Sequence, residues 1–320
     1  MHYRLNMSEY DTIEDALSSI PSETESLDLS GNDLGDYIEN GDLIRLFKGI
    51  PETVKALDLS DNHLNEDAGN AGNVWKEEEL VLVFKALPCG ITSLDLSENG
   101  LGCDEFAEIM DAIPGHVHSI TLFGNYLGEM DASYLIAAFK NIKPSVRYID
   151  LTDNRLNLYE SDELAKVFKA IPENVLHIDV SHNHLILLET EDNGRQIRSL
   201  EELKEIFSGV NEGTTIGFSG ESLSVLEGGC EANDALLRLL TEAADGRHLD
   251  LSDTGLVLNH MTEEANDSLP QSTDDLSVFN QGGASSTGSG DPNKRKHISD
   301  EDPGDDENAD NNKALKARHL

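Results

Sequence analysis

The sequence predicts an α/β solenoid assembled from a short repeated unit, and three observations carry that expectation. A phrase of the form L-D-L-S-x-N-x-L recurs through residues 1 to 256; a helical apolar pattern lies between successive copies; and a proline follows most of those helices. Self-similarity at a fixed step of 20 to 50 residues is the mark of stacked repeats, in which each unit buries its apolar face against its neighbours.

The phrase begins at residues 27, 57, 94, 120, 149, 178, 216 and 249, reading "LDLSGNDL", "LDLSDNHL", "LDLSENGL", "ITLFGNYL", "IDLTDNRL" and "IDVSHNHL", then two degenerate copies, "IGFSGESL" and "LDLSDTGL". Alternation along an extended chain sends its apolar residues inward and the residues between them outward. Each copy therefore predicts a short strand ending in an asparagine turn.

The intervening pattern places apolar residues at i, i+3, i+4 and i+7, one face of a helix. Leu43, Leu46, Phe47 and Ile50 form one set; Leu164, Val167, Phe168 and Ile171 form another; similar sets start at Leu80, Phe106, Leu135, Leu203 and, less regularly, Leu236. Ile13, Ala16, Leu17 and Ile20 extend the pattern to the amino terminus and predict a capping unit over 1–26. Pro21, Pro51, Pro88, Pro114, Pro144 and Pro172 stop the helices, because proline has no N–H to continue them.

These units resemble leucine-rich repeats of the ribonuclease-inhibitor-like class. The resemblance covers residues 1–256 and implies a horseshoe of about eight repeats, with parallel strands on the concave face and helices on the convex one. The longer phrase F-K-A-I-P-x-x-V-x-x-I-D, clearest from Phe168 to Asp179, also resembles the repeats of leucine-rich-repeat effectors from Legionella-type intracellular bacteria.

Within the phrase, Asn32, Asn62, Asn99, Asn125, Asn154 and Asn183 occupy the position where the fold needs a side-chain amide to satisfy backbone groups of adjacent turns. They form a structural ladder. One outward column holds Asp28, Asp58, Asp95, Asp150, Asp179 and Asp250, interrupted by Thr121 and Gly217. Hydroxyl residues flank it, including Ser26, Ser93, Ser30, Ser60 and Ser97, and hydrogen bonding across the face is their structural reading. A fully hydrated aspartate pair about 4.8 Å apart repels by about 1 kcal/mol, which several buried leucines at roughly 1.5–3 kcal/mol each readily offset. The functional reading is an acidic strip that meets a basic partner.

Repeat four interrupts the strip with Phe123, and Tyr148 and His177 take the place of Ser119 in the next two repeats. Large rigid aromatics commonly anchor protein partners. Phe123, Tyr148 and His177, with Tyr126 and the aspartates Asp58, Asp95, Asp150 and Asp179, are accordingly the candidate binding residues. Trp75 joins them from one of two long inserts, 65–79 and 186–200, because insertions on one rim of a solenoid often carry binding.

No phosphate loop, zinc helix signature or nucleophile elbow occurs, and the expectation is a non-enzymatic module without cofactor or metal. His177, His182 and His184 lack a companion cysteine for zinc, and nothing in the sequence orients Cys230 towards His248 as a nucleophile pair. A GTPase activator, the role of one relative of this fold, would need an exposed arginine, for which Arg155 is the candidate. An acidic nuclear repeat protein binding histones is a further alternative, although such proteins carry longer unbroken acidic runs.

The formal net charge is −39, which disfavours nucleic acid and anionic membranes as partners. Residues 257–320 hold 13 acidic and 6 basic side chains, so −32 resides on the repeats. No amino-terminal export signal and no run of eighteen apolar residues occurs, and Cys89, Cys103 and Cys230 suggest free thiols in a reducing compartment. The tail after Leu256 is too polar to fold alone. Its Lys294-Arg295-Lys296 resembles a short nuclear import signal, and its acidic cluster from Asp300 to Asp310 beside Leu315 and Leu320 resembles the carboxy-terminal signal of type IV secretion substrates. The expectation is a monomeric effector delivered into the host cytoplasm, or onward to the nucleus, where it binds a host protein.

Overall fold

The computed structural model describes residues 1–37, 41–64, 77–189, 195–218 and 230–252. Strands and helices alternate. The amino-terminal half runs β1 (His2–Arg4), α1 (Ile13–Ser19), β2 (Ser26–Asp28), α2 (Asp42–Gly49), β3 (Ala56–Asp58), α3 (Glu77–Lys85), β4 (Ser93–Asp95) and α4 (Phe106–Ala112). It continues with β5 (Ser119–Thr121), α5 (Ala132–Lys140), β6 (Tyr148–Asp150), α6 (Ser161–Ala170) and β7 (His177–Asp179). A hairpin of β8 (Leu187–Glu189) and β9 (Arg195–Ile197) precedes α7 (Leu200–Ser208), β10 (Thr215–Gly217), α8 (Cys230–Ala244) and β11 (His248–Asp250).

One parallel sheet takes the order β1-β2-β3-β4-β5-β6-β7-β10-β11, so each strand pairs with its counterpart in the adjacent repeat. This is the α/β leucine-rich-repeat solenoid that the repeat phrase implies, with strands on the concave face and helices on the convex one. The register is strict: Leu27 faces Leu57, Leu57 faces Leu94, and Ile149 faces Ile178. A slip of one residue would turn these apolar side chains to solvent, and that sets the register.

Each repeat supplies the core with the same set of residues. In the second, these are Leu57 and Leu59 from the strand region, Leu64 after the turn, and Leu80, Val83 and Phe84 from α3, all buried. Phenylalanine recurs at the same helix position as Phe47, Phe84, Phe139, Phe168 and Phe207. In α4 that position is Met110 and the ring comes instead from Phe106, one turn earlier and equally buried. The exchange keeps the layer filled where two isolated changes would leave a void and a clash.

The asparagine ladder supports the turns. Asn99 Oδ1 accepts from the N–H groups of Asn62 (3.0 Å) and Leu64 (3.3 Å), while its Nδ2 donates to the carbonyls of Leu59, Leu96 and Ser97. Asn62, Asn125, Asn154 and Asn183 bond in the same way. The residues on either side of each ladder asparagine take left-handed backbone, as with Asp153 (φ 53°) and Arg155 (φ 58°) around Asn154. That conformation costs roughly 1–2 kcal/mol for a residue with a Cβ. The bonds of the buried amide hold it in place.

Two elements lie outside the repeat phrase. β1 extends the sheet at the amino-terminal edge, where Tyr3 faces Leu27 and the Met7 N–H donates to Asn32 Oδ1 at 2.6 Å. The insert at 186–200 contains the antiparallel pair β8–β9. Arg198, just beyond β9, is 2% exposed; its guanidinium donates to Ser161 Oγ at 2.9 Å and approaches the Tyr159 carbonyl at 3.4 Å, latching the hairpin to the preceding repeat. Among the described residues no helix is long and apolar enough to cross a membrane.

Candidate functional site

The sheet face opposite the helices presents three columns, set by the two-residue alternation of every strand. The first holds Ser26, Ala56, Ser93, Ser119, Tyr148, His177, Thr215 and His248 in register. The second holds Arg4, Asp28, Asp58, Asp95, Thr121, Asp150, Asp179, Gly217 and Asp250. The third begins two residues later, with Ser30, Ser60, Ser97, Phe123, Thr152 and Ser181.

The hydroxyls of the third column differ from expectation. They bond to the aspartate of their own repeat, whereas Ser26 of the first column meets His2 Nδ1 across the face at 3.0 Å. Asp58 Oδ1 accepts from the Ser60 N–H at 2.9 Å and from its hydroxyl at 2.6 Å, and Asp28 with Ser30 repeats the arrangement. Asp95 with Ser97 and Asp179 with Ser181 do the same, while Asp150 accepts the Thr152 N–H. An aspartate two residues ahead of a serine closes a local turn, and this satisfies the strand end more directly than a neighbouring repeat could.

The aspartates are also less hydrated than an open strip implies. Burial pushes the Asp95 carboxyl up to about 6; the neighbouring Asp58 and Asp150 push in the same direction, and the bonds from Ser97 oppose them. Burial likewise raises Asp150, with Asp179 adding to the effect. The Tyr148 phenol is raised by burial and then by Asp150 and Asp179, so it stays a neutral donor. At the edge of the column Arg4 Nε lies 3.7 Å from Asp28 Oδ2.

Of the candidate aromatics, the fold brings two together. The rings of Tyr148 and His177 stack with centroids 5.2 Å apart and planes inclined by 12°. Both are half-buried, two residues before Asp150 and Asp179 on adjacent strands. Phe123, also half-buried, lies in the third column of the adjacent repeat, roughly 13 Å along the strand direction at about 3.3 Å per residue. Tyr126 is not on the sheet face. It follows the ladder Asn125 in left-handed conformation (φ 60°) on the turn rim, 42% exposed.

There the Arg155 guanidinium covers the Tyr126 ring at 4.7 Å from its centroid and pairs with Glu129. Arg155, the arginine that a GTPase activator would need, is exposed and held by these two contacts. Asp61, Glu98, Gly124 and Asp153 join the pair in lining an open groove of about 310 Å³. Trp75 and Lys294-Arg295-Lys296 lie outside the described residues.

Among the described residues no group of three or more histidine, cysteine, aspartate and glutamate side chains is placed to hold a metal ion. Burial pushes the Cys103 thiol up to about 12, a protonated and unreactive state at neutral pH. Two features of the strand face lay outside the sequence reading. Arg4 was hidden because its strand lacks the turn asparagine. Gly217 was visible only as a gap in the aspartate column.

A family model described as Leucine Rich repeat matches residues 25–36, the segment holding β2 and Asn32. Among solved structures, the chain is similar to the leucine-rich repeat-containing protein LegL7 from Legionella pneumophila. The two are 28% identical with a TM-score of 0.56, over 78% of this chain and 82% of that one. No curated protein matches the sequence.

Proposed function

We propose that this chain, a leucine-rich-repeat protein of the ribonuclease-inhibitor-like class resembling Legionella leucine-rich-repeat effectors, is a non-enzymatic module that binds a host protein through its strand face. The observation that carries the reading is the Tyr148–His177 stack. It sets an aromatic platform into a face made mostly of serine, aspartate and threonine, and its rings stand half-exposed rather than in the core. Aromatic anchors framed by polar residues are the usual centre of a protein interface. Phe123 widens the contact along the same face, and Trp75 of the insert over 65–79 is a further contact.

The effector setting is supported by the similarity to LegL7 from Legionella pneumophila and by the acidic, leucine-ended tail, which resembles a type IV secretion signal. In this reading residues 257–320 deliver the repeats into the host cytoplasm, and the repeats bind as a monomer.

Cross-linked affinity capture from host cytosol tests the reading. Wild type is compared with Phe123→Ala/Tyr148→Ala, whose loss is expected to remove the specific partner by weakening it about 2 kcal/mol or more. A partner retained equally by both would move the interface off the strand face. A translocation assay with residues 262–320 removed tests the setting: secretion should stop, and continued delivery would reject the tail's role.

A further inference from the structure

The strand face narrows its partner to one chemistry, an inference that rests on the reading above. On β6 and β7, two stacked rings lie beside two carboxylates in register, Tyr148 with His177 and Asp150 with Asp179. The pairs are two residues apart along their strands and so share one face. On the next strand Gly217 follows Asp179 in the column, and a Cβ there would come within 3.1 Å of His177 Nε2 and 3.3 Å of Asp179 Cγ, so glycine lets these two side chains lean over that strand.

A group that fits must be cationic, to compensate carboxylates partly withdrawn from water, and planar, to lie against rings. Guanidinium is both: it forms forked bonds to carboxylates and stacks on aromatic faces, whereas an ammonium supplies charge without the plane. The chain already seats a guanidinium on this column, since Arg4 of β1 lies against Asp28. The −32 carried by residues 1–256 adds long-range attraction for a basic segment.

We propose that Tyr148, His177, Asp150 and Asp179 form a guanidinium-binding site that receives an arginine side chain from an extended segment of the partner protein. The guanidinium lies against the ring pair and donates to the two carboxylates.

Two seven-residue probes test this, alternating glycine with arginine or with lysine at equal charge, titrated by fluorescence anisotropy against the full chain at physiological salt. The arginine probe is expected to bind about three- to thirty-fold more tightly. Tyr148→Ala should abolish that preference while leaving the lysine probe nearly unaffected. Asp150→Asn/Asp179→Asn should weaken both probes about ten-fold or more, against a small effect from the charge-matched surface pair Glu173→Gln/Glu212→Gln. Melting curves confirm that each variant is folded. Equal affinity for the two probes, or equal losses from both double variants, would reduce the face to diffuse acidic attraction and overturn the site. Binding that emerges only after Lys294, Arg295 and Lys296 are changed to alanine would assign the face to the chain's own tail and overturn the partner. If the probes fail while capture of a host protein still depends on Tyr148, the arginine assignment falls and the interface reading stands.

Discussion

Replacing Asn154 by alanine separates the structural ladder from the surface it carries. Asn154 is fully buried and its side chain makes five hydrogen bonds. Its Nδ2 donates to the carbonyls of Leu122, Leu151 and Thr152, and each of these keeps another donor: Asn125 Nδ2, Asn183 Nδ2 and the Gly124 N–H. The loss therefore falls on the two N–H groups that donate to Oδ1, those of Asn125 (3.0 Å) and Leu127 (3.3 Å). An orphaned buried N–H costs roughly 1–3 kcal/mol, so Asn154→Ala should lose about 2–6 kcal/mol, a large share of a stability of about 5–15 kcal/mol. Urea melts followed by far-ultraviolet circular dichroism measure it. His63→Ala is the control: the side chain is 44% exposed beside Asp33 and should stay within about 0.5 kcal/mol of wild type. Equal effects from the two variants would refute the assignment of the cost to the ladder.

Two further outcomes follow from the same packing. Folding raises the Asp95 carboxyl from an ordinary value near 3.8 to about 6, so the folded state holds the proton more tightly, and stability falls as pH rises through that window. Asp95→Asn, whose amide oxygen can still accept from Ser97, should remove this slope and be more stable at pH 7.5 by about 1–3 kcal/mol; a difference from wild type that is the same at pH 4.5 and 7.5 would reject it. In the helix layer a Cβ at Gly209 would meet the Ala165 carbonyl oxygen at 2.0 Å, whereas one at Gly213 meets nothing within 4 Å. Gly209→Ala should therefore cost about 1–3 kcal/mol or more and Gly213→Ala stay within about 0.5 kcal/mol, and equal midpoints in thermal melts would contradict the packing.

The repeat was legible because its determinants are local and periodic. One asparagine per turn and an i, i+3, i+4, i+7 helix face can be counted along the chain without knowing what they touch. β1 escaped because Ser8 stands where the turn asparagine would be, and the strand borrows its bond from Asn32 in the next repeat. The β8–β9 pair escaped because both strands lie in an insert between two repeats, where the repeat pattern predicts nothing. Arg198 showed no signal, since a buried arginine is recognised by its partners, here the Ser161 hydroxyl and two carbonyls 39 and 41 residues away in the chain. On the strand face, Tyr148 and His177 were readable as aromatics out of pattern in equivalent positions. The removal of Tyr126 to the rim was not, because it depends on the left-handed backbone beside the ladder and on the tether to Arg155.

In the proposed function the Tyr148–His177 platform is the centre of the partner interface. The most direct measurement is the Kd of the captured host partner for wild type, Tyr148→Ala, His177→Ala and the double variant, each first shown to melt like wild type. Tyr148→Ala should weaken binding about thirty-fold, and the double variant should lose less than the product of the two single losses, because the rings act as one stacked surface. Affinities within twofold of wild type for all three variants would contradict it.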